Sequence, residues 1–133
     1  MSSMKGFLIN IEKATLENKD FRRVLYTAKH SQLVLMCLKP GEEIGEEKHE
    51  LDQFIRIEAG MGKVILDGVS QNIAADQAII IPEGAMHNIV NTGAAELKLY
   101  TIYSPPEHLD AIVHATKEAA QADDEHFDGQ TME

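Results

Sequence analysis

Short apolar runs recur along the first hundred residues, each bounded by polar or turn-forming residues. In residues 53–58, Ile55 and Ile57 alternate with Phe54, Arg56 and Glu58. An alternation of period two is typical of a strand that turns one face towards a core. The pattern predicts strands over residues 6–11, 22–28, 32–39, 53–59, 62–68, 77–82, 87–91 and 97–103. Regular short strands of this kind indicate an all-β barrel or sandwich.

Turn signals separate these runs. Asp67 and Gly68 stand between two β-type stretches, and an Asp-Gly pair in that position predicts a tight β-hairpin. Glycine or asparagine also occurs in the segments 38–45, 58–62, 82–85 and 91–94, where turns commonly require a positive φ.

The pattern changes after residue 104. Apolar and small residues then recur at three- and four-residue spacing, namely Leu109, Ile112, Val113, Thr116, Ala119 and Ala120. This period predicts a helix over residues 106–122, with Pro106 at its start, packed on a barrel formed by residues 1–105. Residues 123–133 are acidic and have no period, which predicts a mobile tail.

Length and charge restrict the class of protein. A chain of 133 residues with 44% hydrophobic residues fits one globular domain. Its net charge of −10 argues against nucleic-acid binding, and no apolar run reaches the roughly 20 residues that a membrane span needs. The single Cys37 excludes an internal disulfide, so we expect a reducing, cytoplasmic location.

Two clusters of potential ligands have regular spacing. In the first, five residues separate Gly41 from Glu47, one separates Glu47 from His49, three separate His49 from Gln53, and six separate Gln53 from Gly60. The second cluster reads Pro82-x-Gly84-x-x-His87-x-x-x-Asn91.

This pair of clusters resembles the two motifs of the cupin family. The resemblance covers residues 34–103 and implies a double-stranded β-helix, a jelly-roll barrel that is usually dimeric. Three positions depart from the family pattern: Glu47 stands where the first histidine is usual, Gln53 where the glutamate is usual, and Asp76 where the second motif opens with glycine.

The resemblance implies a metal site inside the barrel, with Glu47, His49, Gln53 and His87 as the ligands. Two imidazoles with one carboxylate suit Mn, Fe, Ni or Zn as the divalent ion. Two alternatives stay open, because Glu47 can also be a solvated loop carboxylate and Gln53 can also bind substrate or orient a ligand. The remaining histidines match no motif and are expected to have surface or packing roles; they are His30, His108, His114 and His126.

Such an ion can polarise an oxygen of a bound metabolite and stabilise the enolate formed on proton loss. The leading hypothesis is therefore a metal-dependent isomerase or lyase acting on a sugar or keto acid, with the catalytic residues unassigned. The alternatives are a mononuclear non-heme iron dioxygenase and a non-catalytic cupin that binds a small ligand. We expect a small-molecule partner, no nucleic acid or membrane, and a homodimer in which residues 6–11 add an edge strand.

Overall fold

Two facing β-sheets form the protein. The computed structural model describes residues 5–133. In chain order its elements are α1 (Ile11–Glu17), β1 (Arg22–Thr27), β2 (Gln32–Leu38), β3 (Asp52–Ala59), β4 (Met61–Leu66), β5 (Val69–Ala74), β6 (Ala78–Ile81), β7 (His87–Asn91), β8 (Leu97–Ser104), β9 (Val113–His114) and α2 (Lys117–Ala122). The larger sheet has the order β6-β3-β8-β2-β1-β9 and the smaller has the order β5-β4-β7. This is the predicted all-β jelly roll.

The core lies between the two sheets and follows the predicted alternation. In β3, Gln53, Ile55 and Ile57 are buried, and the intervening residues are more exposed. Ile89 of β7 belongs to the same core cluster as Ile55, although these two strands lie in different sheets. The inner faces therefore supply one shared core, and a polar residue on either inner face is directed into the barrel.

Two turns have the conformations that their residues in the sequence indicate. Asp67 and Gly68, at φ 47° and 82°, join β4 to β5 in the predicted hairpin. Asp76 has φ 73°, which accounts for a position where the related motif favours glycine. An aspartate tolerates this left-handed region better than most residues, and its carboxylate accepts a hydrogen bond from Arg56 at 3.1 Å.

The predicted strand over residues 6–11 is wrong. These residues form no strand, and α1 begins at Ile11, with the side chain of Asn10 accepting a hydrogen bond from the backbone N–H of Lys13. At the outer edge of the larger sheet, β9 pairs with Arg22 and Arg23 of β1. Leu8 is left 95% exposed.

The predicted C-terminal helix is present, but it is shorter than the expected residues 106–122. Helix α2 covers only Lys117–Ala122, while residues 107–116 form turns and the short β9. Tertiary pairing overrides the local period here, because the backbone of Ile112 accepts from Val24 at 2.9 Å and His114 pairs with Arg22 in the sheet. Ile112 and Ala120 still pack against the core.

Residues 123–133 have no regular secondary structure, but hydrogen bonds connect them to the barrel. The backbone N–H of Phe127 donates to Glu107 at 2.9 Å, and that of Met132 donates to Thr27 at 2.9 Å. The mobility of this tail stays a prediction. Within residues 5–133, neither helix has the length and apolar content of a membrane span.

Candidate metal centre

Glu47 and His87 are joined through their backbones. Each N–H donates to the carbonyl of the other at 2.8 Å, which ties the loop after β2 to the start of β7. The backbone carbonyl of His49 accepts from Gly84 at 3.0 Å. Residues from the two sequence motifs, about forty positions apart, are thus held side by side by the main chain.

The orientation of each imidazole is set by an acceptor at Nδ1. The Nδ1 of His49 lies 2.9 Å from Oε2 of Glu107, and that of His87 lies 3.1 Å from the carbonyl oxygen of Ala85. Because a carbonyl oxygen can only accept, Nδ1 of His87 carries the proton. Both rings therefore present Nε2 as the nitrogen that can ligate, an arrangement common among metal-binding histidines.

Glu47, His49 and His87 converge as a group that can hold an ion. One ligand atom from each lies within 4.8 Å of the others, and the two rings are 5.2 Å apart between centroids. Nε2 of His49 is buried and lies 2.5 Å from Oε2 of Glu47. An imidazole nitrogen and a carboxylate oxygen that face each other at this distance suit a shared cation, either a proton or a metal ion.

The pKa values reflect this close packing. Burial alone would lower the pKa of His49, but the carboxylates of Glu107 and Glu47 outweigh burial and raise it to about 9. Burial alone would raise the pKa of Glu47, and its contact with His49 reverses the direction and lowers it. Glu47 is thus an anion at neutral pH, and a divalent cation would take the place of the proton on His49.

Gln53, the fourth predicted ligand, has a different environment from the other three. It lies at the start of β3 with 4% of its surface exposed, and its amide nitrogen donates to the hydroxyl of Thr101 at 2.9 Å. Its Oε1 is buried and has no hydrogen-bond partner among residues 5–133. That oxygen is free to accept from a substrate or to ligate.

Sequence reasoning missed two neighbours of this centre. Glu107 follows two prolines in a stretch expected to be helical, and no spacing rule relates it to His49. Thr101 could have been predicted from the sequence, because the alternation in β8 places Thr101 and Tyr103 on the inner face. The Tyr103 ring lies 6.0 Å from that of His49. A surface cleft between β5 and β6 contains none of these side chains.

The histidines outside the motifs divide into two kinds. His30 and His126 are exposed, as expected for surface residues. His108 and His114 are buried, and each contacts a carboxylate of the C-terminal segment: His108 lies 2.6 Å from Glu125 and His114 lies 3.0 Å from Asp123. Both therefore have packing roles, the second of the two roles expected for these histidines.

The chain matches a known protein family. The family model for the cupin domain (Cupin_2) matches residues 34–103, more than half of the chain. The chain belongs to the cupin domain family. The match spans both sequence clusters and therefore all four predicted ligands.

Similar proteins include YrkC from Bacillus subtilis, described as uncharacterized. It is 46% identical over 125 residues, which is 89% of this chain and 67% of YrkC. The crystal structure of BH2720 from Bacillus halodurans has a TM-score of 0.88 at 44% identity, covering 90% of this chain and 96% of that one. A predicted oxalate decarboxylase from Thermotoga maritima has a TM-score of 0.56 at 27% identity, covering 58% of this chain and 68% of that one.

Proposed function

We propose that this cupin holds one divalent transition-metal ion between Glu47, His49 and His87, and acts on a small oxygenated metabolite. The observation that supports it is the placement of one nitrogen from each imidazole and one carboxylate oxygen within 4.8 Å of one another, with each Nδ1 facing an acceptor. Two imidazoles and one carboxylate suit Mn, Fe, Ni or Zn. They leave coordination positions open for a ligand.

The surrounding residues suit the binding of an oxygen-bearing molecule. Such an ion, when bound, polarises a carbonyl or hydroxyl oxygen. The Oε1 of Gln53 offers an acceptor in the interior. Burial raises the pKa of Tyr103, so its phenol stays protonated and can donate a hydrogen bond beside His49. These groups support isomerase or lyase chemistry on a sugar or keto acid.

Metal content tests the proposal. The protein, purified without chelator and then loaded with Mn²⁺ or Zn²⁺, should retain about one ion per chain by elemental analysis. The His49→Ala/His87→Ala double variant should lose it, because both nitrogen ligands are gone. The His30→Ala/His126→Ala double variant removes two exposed imidazoles and should bind as the wild type does. Equal retention by all three proteins would refute the assignment.

A second candidate is a mononuclear non-heme iron dioxygenase. The set of two histidines and one carboxylate with open positions favours it. Oxygen uptake that requires both Fe(II) and an organic substrate would support this activity. Turnover of a sugar or keto acid without oxygen would support the isomerase or lyase instead. Absence of turnover with stoichiometric metal would support a non-catalytic ligand-binding cupin.

A further inference from the structure

A short loop after β8 places a carboxylate behind His49. Residues 105–112 lie between β8 and β9, and Oε2 of Glu107 in this loop is 2.9 Å from Nδ1 of His49. A carboxylate in that position fixes the imidazole only as firmly as the carboxylate itself is held. The contacts that hold this loop therefore bear on the proposed metal centre.

Gln32, at the start of β2, holds the backbone of the loop. Its Oε1 accepts from the N–H of Glu107 at 3.2 Å and from that of His108 at 3.0 Å. Its Nε2 donates to the carbonyl of His108 at 2.8 Å. Since Gln32 is fully buried, these bonds are shielded from water and connect the loop to the larger sheet.

The C-terminal strap, residues 123–133, contacts the same loop. The N–H of Phe127 donates to the carbonyl of Glu107 at 2.9 Å, and farther along the strap the N–H of Met132 donates to Thr27 at 2.9 Å. Helix α2, which leads into the strap, has no buried residue. The position of the strap therefore depends mainly on its own contacts.

Glu125 is a buried acid within this strap, with 4% of its side chain exposed. Its Oε1 accepts from the N–H of Leu109 at 2.7 Å, and its Oε2 lies 2.6 Å from Nδ1 of His108. Hydrogen bonds to a carboxylate at these lengths are strong. One side chain thus bridges the two residues that follow Glu107 in the loop.

We infer that Glu125 is a positioning residue for the metal centre: it fixes the loop that holds Glu107 against His49. This inference rests on the proposed metal function and adds a control of the affinity of the same site. Among residues 5–133, the hydrogen bonds of the Glu125 side chain go to His108 and Leu109 and not to a proposed ligand. Its effect on the ion must therefore pass through the loop.

The affinity for Zn²⁺ tests the inference. Glu125→Gln replaces one carboxylate oxygen by an amide nitrogen and loosens the loop. Its Kd, measured by chelator competition at a temperature where the variant is folded, should rise about 10-fold. Asp123→Asn is the matched control, because Asp123 also lies in the strap but contacts His114 of β9 at 3.0 Å. It should bind as the wild type does. Wild-type affinity in Glu125→Gln would overturn the inference.

A double variant separates positioning from a general loss of stability. If Glu125 acts through Glu107, then Glu125→Gln should have little further effect on the Kd of Glu107→Gln. An effect of lost stability, of charge at a distance, or of the Tyr103 ring would persist in that background and would overturn the inference. Glu125→Asp keeps the charge but is too short to span both contacts, so its Kd should also rise. Wild-type affinity in Glu125→Asp would overturn the inference as well.

Hydrogen exchange on the wild type needs no variant. Coupling between two sites is reciprocal, so bound Zn²⁺ should slow the exchange of the Phe127 and Leu109 amides by about the same 10-fold factor. The amide of Lys13, in the cap of α1, should exchange at the same rate with and without Zn²⁺. Unchanged exchange at Phe127 and Leu109 would overturn the inference.

A wild type that binds no divalent ion would refute the metal proposal alone. Urea unfolding of the metal-free wild type, Glu107→Gln, Glu125→Gln and the double variant then tests the positioning. The double variant should lose less stability than the sum of the two single losses, because both substitutions disrupt one connected set of contacts. Additive losses would overturn the inference.

Discussion

His49 has a carboxylate beside each ring nitrogen, and the two acids have different effects. Glu107 at Nδ1 fixes the ring orientation and the position of the proton, while Glu47 at Nε2 lies where a cation would bind. A carboxylate behind a ligating histidine also makes the imidazole more basic and a better ligand. Glu107 would therefore act on a bound ion through His49.

Substitution of Glu107 by glutamine should weaken metal binding. The amide keeps the shape but removes the charge, so His49 is held less firmly and becomes less basic. We expect the Kd for Zn²⁺ to rise about 10- to 100-fold, measured by competition with a chromophoric chelator. Glu50→Gln, at an exposed position near the site, should bind as the wild type does. An unchanged Kd in Glu107→Gln would contradict this role.

A substitution at Gln53 should strengthen metal binding, in contrast to Glu107→Gln. Gln53→Glu restores the acid that is usual in related motifs and adds a second carboxylate to the interior. Without metal, this buried charge should destabilise the protein by about 1–3 kcal/mol. With Zn²⁺, the same charge should increase the affinity.

Thermal unfolding with and without Zn²⁺ measures both effects of Gln53→Glu. The rise in melting temperature on adding the metal should be larger in the variant than in the wild type. Gln71→Glu, an exposed position in β5, provides the control. Equal rises in Gln53→Glu and wild type would place Oε1 of Gln53 away from the ion.

At the level of elements, the segment after β8 closes on the barrel through polar contacts. Glu125 accepts from the backbone N–H of Leu109 at 2.7 Å and contacts His108 at 2.6 Å. Burial alone would raise the pKa of Glu125, but the contact with His108 and the Leu109 hydrogen bond outweigh it and lower the pKa below 4.5. Glu125 thus stabilises the folded form as an anion.

Glu125→Gln should lower stability in a pH-dependent way. Since the folded pKa is depressed, the stabilisation is complete above the ordinary pKa of 4.5 and disappears as the pH falls through the lowered folded value. We expect a loss of about 1–2 kcal/mol at pH 7, measured by urea unfolding, and no difference in strong acid. Glu83→Gln, with an exposed side chain, is the control. A loss that is constant with pH would contradict this explanation.

Sequence patterns predicted the strands in which apolar and polar residues alternate. They missed the segments whose conformation is set by pairing with residues distant in the chain. The buried Ile55 and Ile57 follow from period two. In the C-terminal segment, Val113 is exposed while His114 beside it is buried, the reverse of what hydrophobicity predicts. Arg22 and Asp123 provide the polar partners of His114. Sheet pairing of this kind is invisible in a single periodic pattern.

At the level of the whole molecule, the larger sheet has an apolar outer face. The register places Ile80, Phe54, Ile102 and Leu33 in one row across four strands, and Phe7 extends the row by stacking on Tyr26 at 5.3 Å. Ile80 is 64% exposed. An apolar surface of this kind is commonly covered by a partner.

We expect a homodimer that buries this face, in place of the edge-strand dimer expected from residues 6–11. Ile80→Asp should give a monomer without loss of secondary structure, because the side chain is already exposed. Light scattering measures the mass. Val69→Asp, 60% exposed on the smaller sheet, should remain dimeric. A monomeric wild type would refute the dimer altogether.

The reciprocal backbone pair between Glu47 and His87 has a consequence for how the protein would be handled. Because main-chain hydrogen bonds, and not the cation, hold these two positions together, stripping with a chelator should leave Glu47 and His87 side by side. Reconstitution should then proceed by simple entry of the ion, fast and without refolding, so that different metals can be exchanged into a single preparation.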